Sequence, residues 1–305
     1  MYLGTPQAAL AFVVRGRDGA ILVECGCAVA FASICAQLAQ IGLKPSDLKA
    51  LLVTHIHLDH AGSAGHFAAL GVPVFVHPRG ERHLVDPSRL IAGSRAVHGE
   101  RYDTFFGDPL PIAPSMIHSV ADRATIEVAG LHIEAIETLG HARHHHAWRV
   151  RDAASRVSCT EPDLLFVGDV VGMVSPDSNY ISIPVPPSDI DIPAWRTSMQ
   201  RLRQLHRDTR AILTHGGERN LGTHLDAFVA RMNEELPLLA SLVERGRKDP
   251  SGADEAYRAF LMPRAQAAGV NRALREALLG LAFRSMNLAG IADAVARNRF
   301  AESVE

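Results

Sequence analysis

Residues 54–62 read THIHLDHAG, Thr54 to Gly62, directly after the apolar run Leu51-Leu52-Val53. Within six positions this stretch places His55, His57, Asp59 and His60. An apolar run of this kind predicts a buried strand over Ala50–Thr54. Side chains at i and i+2 of extended backbone point the same way, so His55 and His57 can aim two imidazoles at one point. Asp59 and His60 follow where the chain enters a helix of small residues, Ala61-Gly-Ser-Ala-Gly65, and add a carboxylate and a third imidazole. Imidazole with carboxylate suits zinc, iron or manganese, and one segment can serve two adjacent metal positions.

Further ligand types recur where α/β sheets place their sites, just past predicted strands. His141 follows strand 131–137, Asp169 ends Leu164-Leu-Phe-Val-Gly-Asp169, and His215 ends Ala211-Ile-Leu-Thr-His215. Each alone has a plainer reading as a turn or surface residue; it is the joint pattern that points to a metal centre.

Outward from the motif, the first half alternates strand and helix, which argues for an α/β architecture. Strands are expected near 9–14 and 20–24, 74–77, 125–128 with 131–137 as a hairpin, 156–160, 164–167 and 211–214. Phe31, Ile34, Leu38 and Ile41 mark a helix stopped by Gly42, and a second helix runs from the motif to about Leu70. Trp195, Met199, Leu202 and Leu205 mark another helix face. Residues 78–120 read as irregular with short helical pieces, and 172–194, with five prolines, reads as a long loop. Phe105, Phe106, Met116, Tyr180 and Ile181 in these two segments are either pocket walls or local packing. Beyond about 220 the chain turns wholly helical, giving domains 1–220 and 221–305. The apolar residues of the second (Phe228, Met232, Leu236, Leu239, Leu274, Leu278, Leu281) must be buried, by capping the first domain or in a homodimer.

Composition narrows the function. The 305 residues carry a formal net charge of −2, with no basic arm, so a nucleic-acid partner is not expected. No apolar run approaches the roughly 18 residues of a membrane span, and no signal peptide is evident, so a cytoplasmic protein is expected. Cys25, Cys27, Cys35 and Cys159 show no paired metal or redox spacing and read as plain thiols.

THIHLDHAG, with Gly140-His141, Gly168-Asp169 and His215 following in order, resembles the HxHxDH signature of the metallo-β-lactamase fold superfamily over about residues 8–220. Glu24-Cys25-Gly26 resembles the family's opening, where Asp-Thr-Gly is commoner. The resemblance implies an αββα four-layer sandwich with a dinuclear site at one edge, here with a helical C-terminal extension. His55, His57 and His141 would hold the first metal, Asp59, His60 and His215 the second, and Asp169 would bridge them. The ions would be two divalent cations, zinc first, with iron or manganese as alternatives. A shared water whose pKa falls from 15.7 toward about 7 would supply the nucleophile, and Asp59 would help orient it. Thr54, Thr138 and Thr214 are candidates to fix the histidine tautomers. Many relatives read GHTPGH where this chain reads GHARHH; His145 keeps the second histidine. His144 and His146 are surplus, and stand between supporting the ligands, touching substrate and facing solvent. The activity implied is hydrolysis of a small-molecule ester, thioester, lactone or phosphoester. An iron redox enzyme of the same fold and a metal-holding regulatory protein are the alternatives.

Overall fold

The computed structural model describes residues 8–153 and 163–300. The expected strand at 156–160 and Cys159 lie outside the described residues. The strands are β1 (Phe12–Gly16), β2 (Gly19–Val23), β3 (Leu48–Leu52), β4 (Val74–Val76), β5 (Ile117–Ser119), β6 (Thr125–Val128), β7 (Leu131–Glu137), β8 (His146–Asp152), β9 (Leu164–Phe166), β10 (Met173–Val174), β11 (Ile181–Ser182), β12 (Arg210–Leu213) and β13 (Gly217–Asn220). The helices are α1 (Phe31–Gln40), α2 (Leu58–Ala61), α3 (Ala64–Ala69), α4 (Pro78–Val85), α5 (Ser88–His98), α6 (Tyr102–Phe105), α7 (Ile192–Leu202), α8 (Leu221–Gly246), α9 (Pro250–Ala267), α10 (Arg272–Leu278) and α11 (Leu281–Ala296).

The described residues fall into two compact units. Unit 1 takes in those of Met1–Glu137, His144–Gly168 and Thr209–Glu218; unit 2 takes in those of Thr138–Arg143, Asp169–Asp208 and Arg219–Glu305.

In unit 1 one sheet runs β1-β2-β3-β4-β5 and the other β13-β12-β9-β8-β7-β6. β3 lies between β2 and β4, parallel to both. A central parallel strand is covered on both faces, so its near-continuous apolar sequence is what this place demands. One face of the first sheet (Leu22, Leu51, Val53, Val74, Val76) packs under Leu38 of α1, Phe67 of α3 and Leu84 of α4. The other face (Ile21, Val23, Ala50, Leu52) meets Ile133, Ala135, Trp148, Val150 and Phe166 of the second sheet. Each large apolar side chain buried this way contributes about 1.5–3 kcal/mol.

The hairpin 125–137 forms in the expected register, Val128 opposite Leu131. The strand before the motif ends two residues early, at Leu52, and the helix after it is broken into α2 and α3 at Gly62-Ser63. β5, β8 and β13 were not expected, nor were β10 and β11, which pair within the segment 172–194 read as a long loop, and 78–120 holds the regular helices α4 and α5 as well as α6. β8 bears directly on the site. Its Trp148 Nε1 donates to the Val53 carbonyl at 3.1 Å, and its His146 N–H donates to the Thr54 carbonyl at 2.9 Å. The second sheet thereby pins the backbone of the first just before His55.

In unit 2, α8 buries Leu225, Phe228, Met232, Leu236 and Leu239 on one face and packs against α9 and α11. Side-chain acceptors start four of the helices: Asp191 for α7, Asn220 for α8, Asp249 for α9 and Asn271 for α10. The expected burial of the tail holds for α8 but not throughout. Leu274 and Leu278 are half-buried and Leu281 is 63% exposed. Residues 272–296 are also long and apolar enough by composition for a membrane span, contrary to the expectation from the sequence. They form two helices broken at Leu279-Gly280, and buried Arg284 forms a two-bond pair with Asp254, both bonds 2.7 Å.

Candidate metal centre

Past β3 the backbone bends at Thr54 and His55 before His57, which precedes α2 at φ −59° and ψ 150°. His55 and His57 do converge, with His55 Nε2 2.8 Å from His57 Nδ1. The His60 ring centroid is 4.0 Å from that of His55. The chain returns at the end of β12 to bring in His215, whose Nε2 lies 3.2 Å from Asp59 Oδ2. His60 Nε2 is 3.8 Å from the same oxygen. Thus five of the seven sequence-predicted ligands, His55, His57, Asp59, His60 and His215, gather within unit 1. All but His57 are buried. The other two gather within unit 2, with His141 Nε2 3.7 Å from Asp169 Oδ2 and both residues buried.

The donor set fits a cation. The ligand atoms of Asp59, His60 and His215 lie within 4.8 Å of one another. Ligand bonds of about 2.0–2.2 Å place neighbouring donors roughly 3–3.5 Å apart, so little adjustment would close the three on one ion.

The ring tautomers agree. His60 Nδ1 is 3.3 Å from Glu24 Oε1, and a carboxylate can only accept. His215 Nδ1 hydrogen-bonds the carbonyl of Ala8. His141 Nδ1 is 3.1 Å from the carbonyl of Pro184. In His215 and His141 Nδ1 therefore carries the proton and Nε2 keeps its lone pair, the form a metal needs, and the Glu24 carboxylate favours the same form of His60. His55 follows suit: its Nδ1 is 3.1 Å from Thr54 Oγ1, whose own proton goes to Glu24 at 2.5 Å.

Glu24 is the residue whose role sequence reading missed. It is buried at a left-handed φ of 62° just past β2, and its Oε1 also accepts from Thr214 Oγ1 at 3.3 Å. One carboxylate thus serves His60 directly and His55 through Thr54. The only signal was its departure from the commoner Asp-Thr-Gly. Thr54 and Thr214, expected as tautomer-fixing groups, act through it.

The surplus histidines do not face solvent. His144, His145 and His146 are 6%, 0% and 0% exposed, and His146 opens β8. His144 Nδ1 accepts from the Ile56 backbone at 3.4 Å, and the His145 ring is 5.0 Å from His55. His146 packs between Trp148 and His77, and burial lowers its pKa to about 3, so it is a neutral packing group. Phe106 and Tyr180 are buried in local packing, Phe106 with Cys27, Leu58 and Tyr102, and Tyr180 under Arg231. Cys25 and Cys27 are free and buried, and burial holds both thiols far above their ordinary pKa.

The motif glycines are demanded by space. A Cβ on Gly168, at φ 50°, would stand 2.4 Å from Thr54 Oγ1 and 2.7 Å from His145 Nε2. A Cβ on Gly140 would stand 2.2 Å from that of Trp195.

Fold and ligand types together define a metallo-β-lactamase-type protein. The chain matches the Metallo-beta-lactamase superfamily profile over residues 4–215 and belongs to that superfamily. It is 23% identical over 217 residues to the metallo-beta-lactamase fold-containing protein ST1585 of Sulfurisphaera tokodaii, covering 70% of this chain and 74% of that one. The crystal structure of ST1585 matches with a TM-score of 0.59 at 20% identity, over 76% of this chain and 82% of that one. TTHA1429, a metallo-beta-lactamase family protein from Thermus thermophilus, matches with a TM-score of 0.63 at 20% identity, over 98% of this chain and 92% of that one. A metallo-beta-lactamase from Cronobacter sakazakii matches at 0.55 and 17% identity, over 77% and 90%. The fold is thus the expected one, with a helical region beyond residue 220. Membership places the chain in a family of metal-dependent hydrolases, and its His and Asp groups are able to hold metal ions.

Proposed function

We propose that this chain is a two-metal hydrolase acting on a small-molecule ester, thioester, lactone or phosphoester. The observation that carries the reading is the ring state shared by His215 and His141, each with Nδ1 bonded outward to a backbone carbonyl, together with the Glu24 carboxylate beside Nδ1 of His60. His55, His57 and His141 would hold one ion, Asp59, His60 and His215 the other, with Asp169 shared. Bound divalent cations supply Lewis acidity and bring the pKa of a coordinated water toward about 7. Asp59 contributes one oxygen to the ligand group, and its other oxygen is assigned the proton of the attacking water. The Glu24 carboxylate beside His60 Nδ1 and Thr54 Oγ1 beside His55 Nδ1 favour protons on those outer nitrogens, which would keep the inner nitrogens available through turnover. Near-neutral net charge favours a small substrate over a polyanion.

Elemental analysis of the purified protein, followed by a panel of esters, thioesters, lactones and phosphoesters, tests this. Zinc or manganese near two per chain with ester cleavage is expected; iron with oxygen consumption would point to redox chemistry instead. His57→Ala and Asp169→Ala should lose metal and turnover together. Normal turnover by either variant in the absence of metal would refute the assignment.

A further inference from the structure

The carbonyl that receives the His141 proton belongs to Pro184, in the irregular segment of unit 2 between β11 and α7. What holds that carbonyl in place lies far along the chain. Asn287, on α11, is fully buried. Its Nδ2 donates to the Ile183 carbonyl at 2.8 Å, and its Oδ1 accepts from the Val185 N–H at 2.9 Å. One amide therefore grips the backbone on both sides of Pro184. Three residues on, Gly290 lets α11 lie directly against the same segment. A Cβ there would come 2.0 Å from the Val185 carbonyl oxygen.

Asn287 is itself fixed. Its Nδ2 also donates to the Tyr257 hydroxyl at 2.8 Å. That hydroxyl donates to Glu235, a fully buried carboxylate on α8. Glu235 is neutralised by Arg231, with Nε 2.7 Å from Oε2, and Arg231 also donates to the Tyr180 hydroxyl at 2.8 Å. Buried polar groups of this kind are costly unless every one is bonded. Arg231 and Glu235 meet here as an ion pair, the other links are hydrogen bonds, and the end of the series is a backbone segment rather than solvent.

We infer that Asn287 is a positioning residue for His141: by clamping Ile183 and Val185 it aims the Pro184 carbonyl that holds the Nδ1 proton, and so presents Nε2 as the metal-binding atom. This rests on the reading of His141 as a ligand, and it gives the helical region a role in the site without contact with substrate. Outer partners of ligating histidines typically govern metal affinity by about 10–100-fold.

The test reads the histidine rings themselves. Ring-15N spectra of the metal-free protein, assigned with single His→Gln variants, report which nitrogen of His141, His60 and His215 carries the proton. In the unsubstituted protein all three should be protonated at Nδ1. In Asn287→Leu, His141 should shift toward a mixture of ring forms with faster exchange of the Nδ1 proton, while His60 and His215, held by Glu24 and Ala8, keep theirs. Zinc affinity, measured by competition with a chromophoric chelator, should fall about 10–100-fold. Should Asn287→Leu unfold, Asn287→Asp is read in its place, since it keeps the shape and the Val185 acceptor but loses the Ile183 donor. A His141 ring that stays unchanged in the variants, or one that changes only together with His60 and His215, overturns the inference. Failure of the unsubstituted protein to bind zinc, iron or manganese would instead overturn the ligand reading, whatever the ring spectra show.

Discussion

In unit 1 the outer proton of His60 is favoured by the charge of a side chain, Glu24, at the end of the strand next to the one that leads into the motif. In unit 2 the outer proton of His141 is held by a backbone carbonyl, and that backbone is held by an amide about a hundred residues further on. The chemical result is the same, a lone pair on Nε2. The means differ in range: unit 1 relies on a charged group that serves two rings, unit 2 on the stiffness of a packed helical core. A charged hub acts on whatever touches it, whereas a clamp acts only through the segment it grips. Mutations should therefore spread their effects in unit 1 and confine them in unit 2.

The largest expected effect outside the ligands themselves is at Glu24. Glu24→Gln keeps the volume but lacks the charge that favours the His60 and Thr54 protons, so zinc affinity should drop about 10–100-fold. The ring spectra of both His60 and His55 should change, while His141 keeps its form. If His60 alone responded, Thr54 would not be acting through Glu24, and the contrast between the two units would weaken.

Gly168→Ala comes next, and it tests how rigid the unit 1 arrangement is. The new methyl would meet Thr54 Oγ1 at 2.4 Å and His145 Nε2 at 2.7 Å, at a φ of 50° that side chains rarely adopt. A loss of about 1–3 kcal/mol is expected, read from denaturant unfolding of the metal-free protein. An unchanged midpoint would mean that Thr54 and His145 can move aside.

How much of this was legible in the sequence follows from the range of the interactions. The HxHxDH segment could be read because its groups are close along the chain and follow a buried strand. β8 could not. Its inward residues, His146, Trp148 and Val150, alternate with Arg149 and Arg151, but three consecutive histidines look like a surface cluster rather than the start of a buried strand. α5 was missed for the opposite reason, since none of its residues is buried and it has no apolar stripe to reveal it. Glu24 carries no pattern at all, because its role comes from a left-handed turn and partners on two other strand ends. Asn287 looked like one polar residue in an apolar helix, and its partners at 183 and 185 are invisible without the fold.

His146 gives a smaller and gradual effect. Burial first, then the nearby His77 and His144 rings, depress its pKa to about 3, against a weaker opposing effect of the Val53 carbonyl. The unfolded chain takes up that proton near pH 6.5, so the group's contribution to stability is complete above that value. It is lost as pH falls from about 6.5 toward 3, at up to about 1.4 kcal/mol per pH unit. Unfolding of metal-free protein across this range should be flatter in His146→Gln than in the unsubstituted protein. Parallel curves would show that His146 is protonated in the folded state.

The smallest effect should come from the other end of the helix that carries Asn287. Leu281 opens α11 and is 63% exposed, so Leu281→Ser removes little buried area and should change stability by no more than about 0.5 kcal/mol. It should leave the His141 ring and zinc affinity untouched, because the grip on the Ile183–Val185 segment comes from Asn287, nearly two turns further along. The two substitutions on one helix then separate packing of α11 as a whole from the clamp in particular. A Leu281→Ser protein that shifted the His141 ring as Asn287→Leu does would mean that any loosening of α11 reaches the metal ligand. In that case the amide has no special part, and the helical region acts only by its bulk.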